Sequence, residues 1–200
     1  MKVLAINGSP EIRGTALLLQ KAIEGAEKVE GISTDLINLS QYKIQQCKGC
    51  NNCVMQKPCP LKDDMVKLNE MLLEADGIII GSPSHFGNVT GLLKNFFDRT
   101  RPLKMSGSKL KDKVLSAVIT SGLIHGGADT VVQAINTFGL LHGMIIIGAA
   151  ANPVLDPVYP VATLQKERKQ FRKIEDDEFA LKMAEKIGER ISELVVKLKS

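Results

Sequence analysis

Two kinds of apolar pattern alternate along the chain. Short apolar runs occupy residues 3–6, 78–80, 114–119 (broken only by Ser116) and 144–147, and a half-apolar run occupies 35–39. Runs of this length, bounded by turn residues, read as buried strands. Between them the apolar residues recur three and four apart. Leu18, Leu19, Ala22, Ile23 and Ala26 form one such stripe within 16–29, and comparable stripes cover 65–75, 92–100 and 130–141. The last runs over 178–197 with Phe179, Met183, Ile187, Ile191, Leu194, Val195 and Leu198 at helical spacing.

Five strand–helix units in succession predict an α/β fold: a doubly wound, five-stranded parallel sheet with helices on both faces. Two strand orders, Rossmann and flavodoxin-like, satisfy this pattern. Both bind ligands beyond the carboxyl ends of the strands, where the strand order switches. The loops that matter then begin near Asn7, Ser40, Gly81, Thr120 and Gly148. Two stretches interrupt the alternation: about 40–63, and about 149–177 with Pro153, Pro157 and Pro160. The 200 residues otherwise suit a single domain.

Composition narrows the field. Apolar residues make up 44%, yet no apolar run approaches the ~20 residues that span a bilayer. The N-terminal apolar run is too short for a signal-peptide core, so the expected location is the cytoplasm. The net charge of +4 is mild, and the alternating charges of 166–199 read as a solvated face. With no Trp and 4% aromatics there is no ladder for stacking bases, which argues against nucleic acid.

The first strand ends in Asn7-Gly8-Ser9-Pro10-Glu11-Ile12-Arg13-Gly14-Thr15-Ala16, and a helix follows. The spacing of Gly8 and Gly14 is not the dinucleotide fingerprint. Free amides at a helix N-terminus and the helix dipole favour an anion there. Ser9 and Thr15 can donate to phosphate oxygens, Arg13 can add charge, and Gly8 and Gly14 are expected to let backbone approach. The bland alternative is that Ser9 and Thr15 only cap the helix. The third strand leads into Gly81-Ser82-Pro83-Ser84-His85-Phe86-Gly87-Asn88-Val89-Thr90-Gly91, and the fourth into Thr120-Ser121-Gly122-Leu123-Ile124-His125-Gly126-Gly127. Lys94 and Asp98, four apart on one helix, are expected to pair, and His142 to be structural.

These three motifs, in this order, resemble the NADPH-dependent FMN reductase superfamily over roughly residues 1–150. The resemblance implies a flavodoxin-like fold, with the FMN phosphate held around Ser9, Arg13, Gly14, Thr15 and Ala16. It places the isoalloxazine ring against Pro83, Ser84, His85, Phe86, Gly87, Asn88 and Val89, and near Ser121, Gly122, Gly126 and Gly127. His85 stands where the family often has Tyr, and Glu11 where it commonly has Arg.

All four cysteines lie in one segment, as Cys47, Cys50, Cys53 and Cys59 followed by Pro60. Three cysteines at successive x2 gaps, with a fourth before a proline, suit a 4Fe–4S cluster better than zinc or metal-free thiols. Within the superfamily, this segment resembles that of the iron–sulfur flavoproteins. The resemblance implies FMN and a 4Fe–4S cluster on one chain, in an oligomer where the two exchange electrons. The leading expectation is therefore an electron-transfer oxidoreductase, a homodimer or homotetramer. It would accept electrons from ferredoxin at the cluster and pass them through FMN to a small-molecule or protein acceptor, with no essential side-chain catalyst. The second is an NAD(P)H-dependent FMN, quinone or nitro-compound reductase without a cluster. The third is a non-catalytic nucleotide-binding module.

Overall fold

The computed structural model describes residues 1–199. Strands β1 (Lys2–Asn7), β2 (Ser33–Asn38), β3 (Gly77–Pro83), β4 (Val114–Ser121) and β5 (Ile145–Ile146) form a parallel sheet in the order β2-β1-β3-β4-β5. This is the flavodoxin-like order, and its switch point lies between β1 and β3. Helices α1 (Gly14–Ala26), α2 (Met65–Glu74), α3 (Gly91–Arg99), α4 (Arg101–Met105), α5 (Ala128–His142) and α6 (Glu178–Lys199) complete the layers.

The alternation of side chains along each strand explains the two cores. Leu4, Ile6, Ile78, Ile80, Leu115 and Ile119 face one way and pack with Leu68 and Leu72 of α2, Phe96 of α3 and Ile135 of α5. Val3, Ala5, Ile79 and Val118 face the other way and pack with Leu18 and Ala22 of α1 and Met183, Ile187 and Ile191 of α6. The α1–α6 crossing is close. A Cβ on Gly188 would run into the Ala22 carbonyl, and one on Gly25 into the Glu185 carbonyl. The stripe expected on α6 therefore needs trimming. Met183, Ile187, Ile191 and Val195 are buried, whereas Phe179 and Leu198 are about half exposed, because the crossing uses the small residues Ala180, Ala184 and Gly188.

The fifth strand position is split. β5 pairs with Val114 and Leu115; the chain then leaves the sheet and returns as β6 (Val161–Thr163), parallel to Ile119–Ser121 of β4. The neck of the excursion is closed where Ala149 N–H donates to the Val158 carbonyl (2.8 Å). Beyond β6 follow a hairpin, β7 (Gln165–Glu167) with β8 (Gln170–Phe171), and a 3₁₀ turn at Ile174–Asp176. The stretch at 149–177 is thus in part an extension of the sheet. No helix among the described residues is long and apolar enough to cross a membrane.

Candidate functional site

At the carboxyl edge of the sheet, the loop after β1 is pinned before it reaches α1. Gly8 N–H donates to the Gly81 carbonyl (2.8 Å), and the Gly8 carbonyl accepts from the Thr90 hydroxyl (2.6 Å). The Asn7 side chain accepts from Ser9 N–H (3.0 Å), and Ser9 Oγ accepts from Glu11 N–H (3.1 Å), which leaves the Ser9 hydroxyl able to donate. α1 begins without a side-chain cap, with Arg13 at the capping position. Its first amides and the dipole therefore face the cleft, as an anion site requires. Thr15 and Thr120 hydroxyls meet at 2.8 Å, both buried. One donates to the other, which leaves one hydroxyl proton of the pair for a ligand.

The two glycines of this loop do something other than expected. A Cβ at Gly8 would lie 2.8 Å from Leu93, and one at Gly14 would lie 2.5 Å from Ile174. Their missing side chains make room for the protein's own packing, not for a ligand. Arg13 is exposed and paired with exposed Glu11 (3.1 Å), a contact of little energy that an anion can displace.

The loops after β3 and β4 are laced together. Ser84 N–H donates to the Thr120 carbonyl (2.7 Å), and the Ser84 hydroxyl donates to the Gly126 carbonyl. A Cβ on Gly127 would sit 2.6 Å from the Gly87 Cα, so only glycine permits this approach. His85 and Asn88 exchange backbone hydrogen bonds (2.9 and 3.2 Å) around Phe86 and Gly87, whose φ values are +52° and +81°. Two positive φ values make this a type I′ turn, a conformation that favours Asn and Gly. Phe86 adopts it at a cost of about 1 kcal/mol and is fully exposed.

These loops enclose a cleft of about 570 Å³. Of the residues expected from sequence, Ser9, Arg13, Gly14, Thr15, Pro83, Ser84, His85, Ser121 and Gly122 line it. Ala16 is buried and, like Phe86, Gly87, Gly126 and Gly127, does not line it; Asn88 and Val89 border a separate groove with α3, α4 and α5. Sequence reasoning missed Pro10, Glu11, Thr120, Leu164 and Ile174. The last two come from the segment after β6, which Leu164 N–H ties to the Ser121 carbonyl (2.9 Å) and Gln165 N–H to the Gly122 carbonyl (3.1 Å). Nothing in the local sequence around Leu164 or Ile174 signals this.

Lys94 and Asp98 pair at 2.6 Å, as expected, and His142 is buried in the α5–α3 packing. Arg99, which carried no expected role, makes the most enclosed ion pair of the region. It bonds Asp63 through both nitrogens (2.5 and 2.9 Å) and the Gln45 carbonyl (2.6 Å), with side-chain exposures of 4% and 2% for Arg99 and Asp63. Burial alone would raise the Asp63 pKa; Arg99 and the amides of Gln45 and Met65 outweigh it and hold the carboxyl below its ordinary value. The pair clamps the two ends of the cysteine segment.

The cysteine segment itself departs from expectation. Cys47 and Cys50 are exposed, and Cys53 and Cys59 are partly buried, all four bordering a small depression beside Arg99 and Pro102. Among the described residues, no three Cys, His, Asp or Glu side chains converge as a metal-holding group. The 4Fe–4S cluster expected on Cys47, Cys50, Cys53 and Cys59 is therefore not borne out, and with it falls the reading of the chain as a cluster-based electron carrier. Spacing fixes how far apart the thiols are along the chain, not where the backbone turns them. Here irregular turns at Gly49, Asn51 and Gln56, each at positive φ, set their directions.

The strand order, with a cleft at its switch point, defines the class: a flavodoxin-like α/β protein. Residues 1–154 match the family described as NADPH-dependent FMN reductase, and the chain belongs to that family. An "Iron-sulfur flavoprotein" of Archaeoglobus fulgidus is 38% identical over 97% of this chain and 95% of its own length. An "NAD(P)H dehydrogenase (quinone)" of Acidithiobacillus ferrooxidans is 32% identical over 62% of this chain and 60% of its own. Among solved structures, an "NADH:FMN oxidoreductase" aligns with a TM-score of 0.64 at 15% identity, covering 98% of this chain and 89% of that one. That last likeness concerns the fold.

Proposed function

We propose that the protein is an FMN-dependent oxidoreductase that takes reducing equivalents from a reduced pyridine nucleotide and passes them to a small acceptor of quinone, flavin or nitro-compound type. The observation that carries this reading is the cleft at the sheet edge. It combines an uncapped helix N-terminus, the buried Thr15–Thr120 hydroxyl pair and two interlocked loops. A terminal phosphate fits the first-turn amides of Gly14, Thr15 and Ala16, with Ser9 Oγ and Arg13 as further donors. A flat ring fits against Pro83, Ser84 and His85 on one side and Thr120, Ser121 and Gly122 on the other. FMN, when bound, supplies hydride acceptance and the release of electrons singly or in pairs. The protein's part is position and exclusion of water, the latter through Pro83, Leu164 and Ile174. A ferredoxin donor, expected only through the cluster, is not retained.

The cofactor released by heat should chromatograph as FMN, and anaerobic NADPH should bleach the visible flavin band of the holoprotein. Recovery of FAD, or a flavin that neither NADPH nor NADH reduces, would overturn the reading. Thr15→Val should weaken FMN binding about tenfold, the value of one lost hydrogen bond to a charged group.

The expected oligomer enters the proposal as a pairing of α5 faces. Leu140 and Leu141 are 67% and 66% exposed beside an apolar groove floored by Phe97, Met105 and Phe138. Contiguous exposed apolar surface of this kind marks interaction sites. Sedimentation should show a dimer or larger species, and Leu140→Lys with Leu141→Lys should shift it to monomer; a wild-type monomer would contradict the pairing.

A further inference from the structure

The sequence directs an unusual density of positive charge to one edge of the cleft. Residues 165–173 contain Lys166, Arg168, Lys169, Arg172 and Lys173 against one carboxylate, Glu167. Arg172 is committed: it bonds Asp177 and the Thr163 carbonyl, and so anchors the base of the hairpin. Among the described residues, Lys166, Arg168 and Lys169 form no ion pair and are exposed. Arg168 and Lys169 form the two-residue turn between Glu167 and Gln170, and Lys169 holds φ at +64°. A turn of this kind favours Asn or Gly; a lysine there costs about 1 kcal/mol, and strain of this type gathers at functional positions.

The hairpin is also fastened to the cleft. Gln165 N–H donates to the Gly122 carbonyl, and the Gln165 side-chain oxygen accepts from Ile124 N–H (3.2 Å), which joins the hairpin base to the loop after β4. Leu164 and Ile174, at either end of the hairpin, line the cleft. The ring of Phe171, 67% exposed, stands on β8 opposite Gln165. Three unpaired cations around one tight turn match a single doubly charged phosphate rather than an extended acidic surface. An exposed aromatic ring close by offers a face to an adenine.

We propose that the β7–β8 hairpin is the adenosine clamp of the pyridine-nucleotide donor. Lys166, Arg168 and Lys169 bind the 2′-phosphate and Phe171 stacks on the adenine, so the protein selects NADPH over NADH. This rests on the pyridine-nucleotide reading above. The cations act before any chemistry, so their contribution belongs to substrate binding and not to the hydride step.

The test uses the holoprotein and a triple variant, Lys166→Gln, Arg168→Gln and Lys169→Gln, all at exposed positions. Calorimetry with adenosine 2′,5′-bisphosphate and with 5′-AMP reads the clamp directly. Wild type should prefer the bisphosphate by at least about tenfold, and the variant should lose the preference. Steady-state kinetics should show KM for NADPH raised about tenfold or more with kcat unchanged, and NADH parameters unmoved. Equal affinity of wild type for the two adenosine phosphates, or a variant that keeps the preference, would overturn the clamp. Failure of both NADPH and NADH to reduce the flavin would instead remove the parent reading, and the bisphosphate titration reports on the clamp independently of it.

Discussion

Gly188→Ala should destabilise the protein by about 3 kcal/mol, at the upper end of what overpacking costs. The sign is the informative part. Alanine in a helix interior is favoured over glycine by about 1 kcal/mol, so the α6 sequence by itself predicts a more stable protein. The structure reverses this, because the added methyl group would meet the Ala22 carbonyl and the Ala26 amide of α1. Neither is the yielding end of a flexible side chain, so two helices must part. α1 also presents its N-terminus to the cleft, and the variant should hold FMN less tightly than wild type. Urea unfolding should show a lower midpoint at unchanged slope, which separates a change in stability from a change in compactness. An equal or higher midpoint would mean that the helices separate at little cost.

Acidification should cost the protein about 3 kcal/mol through His142 alone. The Thr100 hydroxyl donates to the Phe97 carbonyl (2.8 Å), so its oxygen must accept from Nε2–H of His142 (2.9 Å). That fixes the neutral tautomer and leaves Nδ1 buried without a partner. A second proton would have to sit on Nδ1. Burial, with a smaller contribution from Lys104, pushes the pKa down to about 4. The folded state therefore takes up the proton later than the unfolded chain does. The stabilisation is complete above the ordinary histidine value of about 6.5, falls as the pH drops towards 4, and levels off below. In His142→Gln, whose amide can still donate to Thr100, the stability lost between pH 7 and pH 4 should shrink by about that amount. Parallel pH profiles for variant and wild type would exclude His142 as the source.

What the sequence made legible follows from the range of each signal. Strand runs and helix stripes are local, and all five predicted strands and five predicted helices are present, with β5 reduced to Ile145–Ile146. The loops after β1, β3 and β4 were found by position, since a parallel sheet sends them to one edge. Features that depend on two distant segments stayed hidden. Gly25 and Gly188 are 163 positions apart and each reads alone as a weak point in a helix. Ile174 fills the space that Gly14 leaves, although the loop suggested that a phosphate would. Asp63 and Arg99 are ordinary surface residues in sequence and the enclosed clamp of the cysteine segment in the structure. The cysteine spacing was the sharpest local signal of all, and it misled for the same reason: a ligand set is made in three dimensions.

The divided fifth strand has a mechanical consequence. The half that completes the hydrophobic layer, β5, follows directly from α5, whereas the half beside the cleft, β6, arrives with the returning chain and continues into the hairpin. The short ladder to β4 and hydrogen bonds from Leu164 and Gln165 hold that returning piece, and few buried apolar side chains do, Ala162 and Ile174 being the exceptions. Cooperative units defined by sparse burial open at lower free energy than the core they rest on. This wall of the cleft is therefore expected to open at lower free energy than the pairing of β1, β3 and β4. Ligand exchange at the cleft then need not disturb the folding unit that carries the loop after β1.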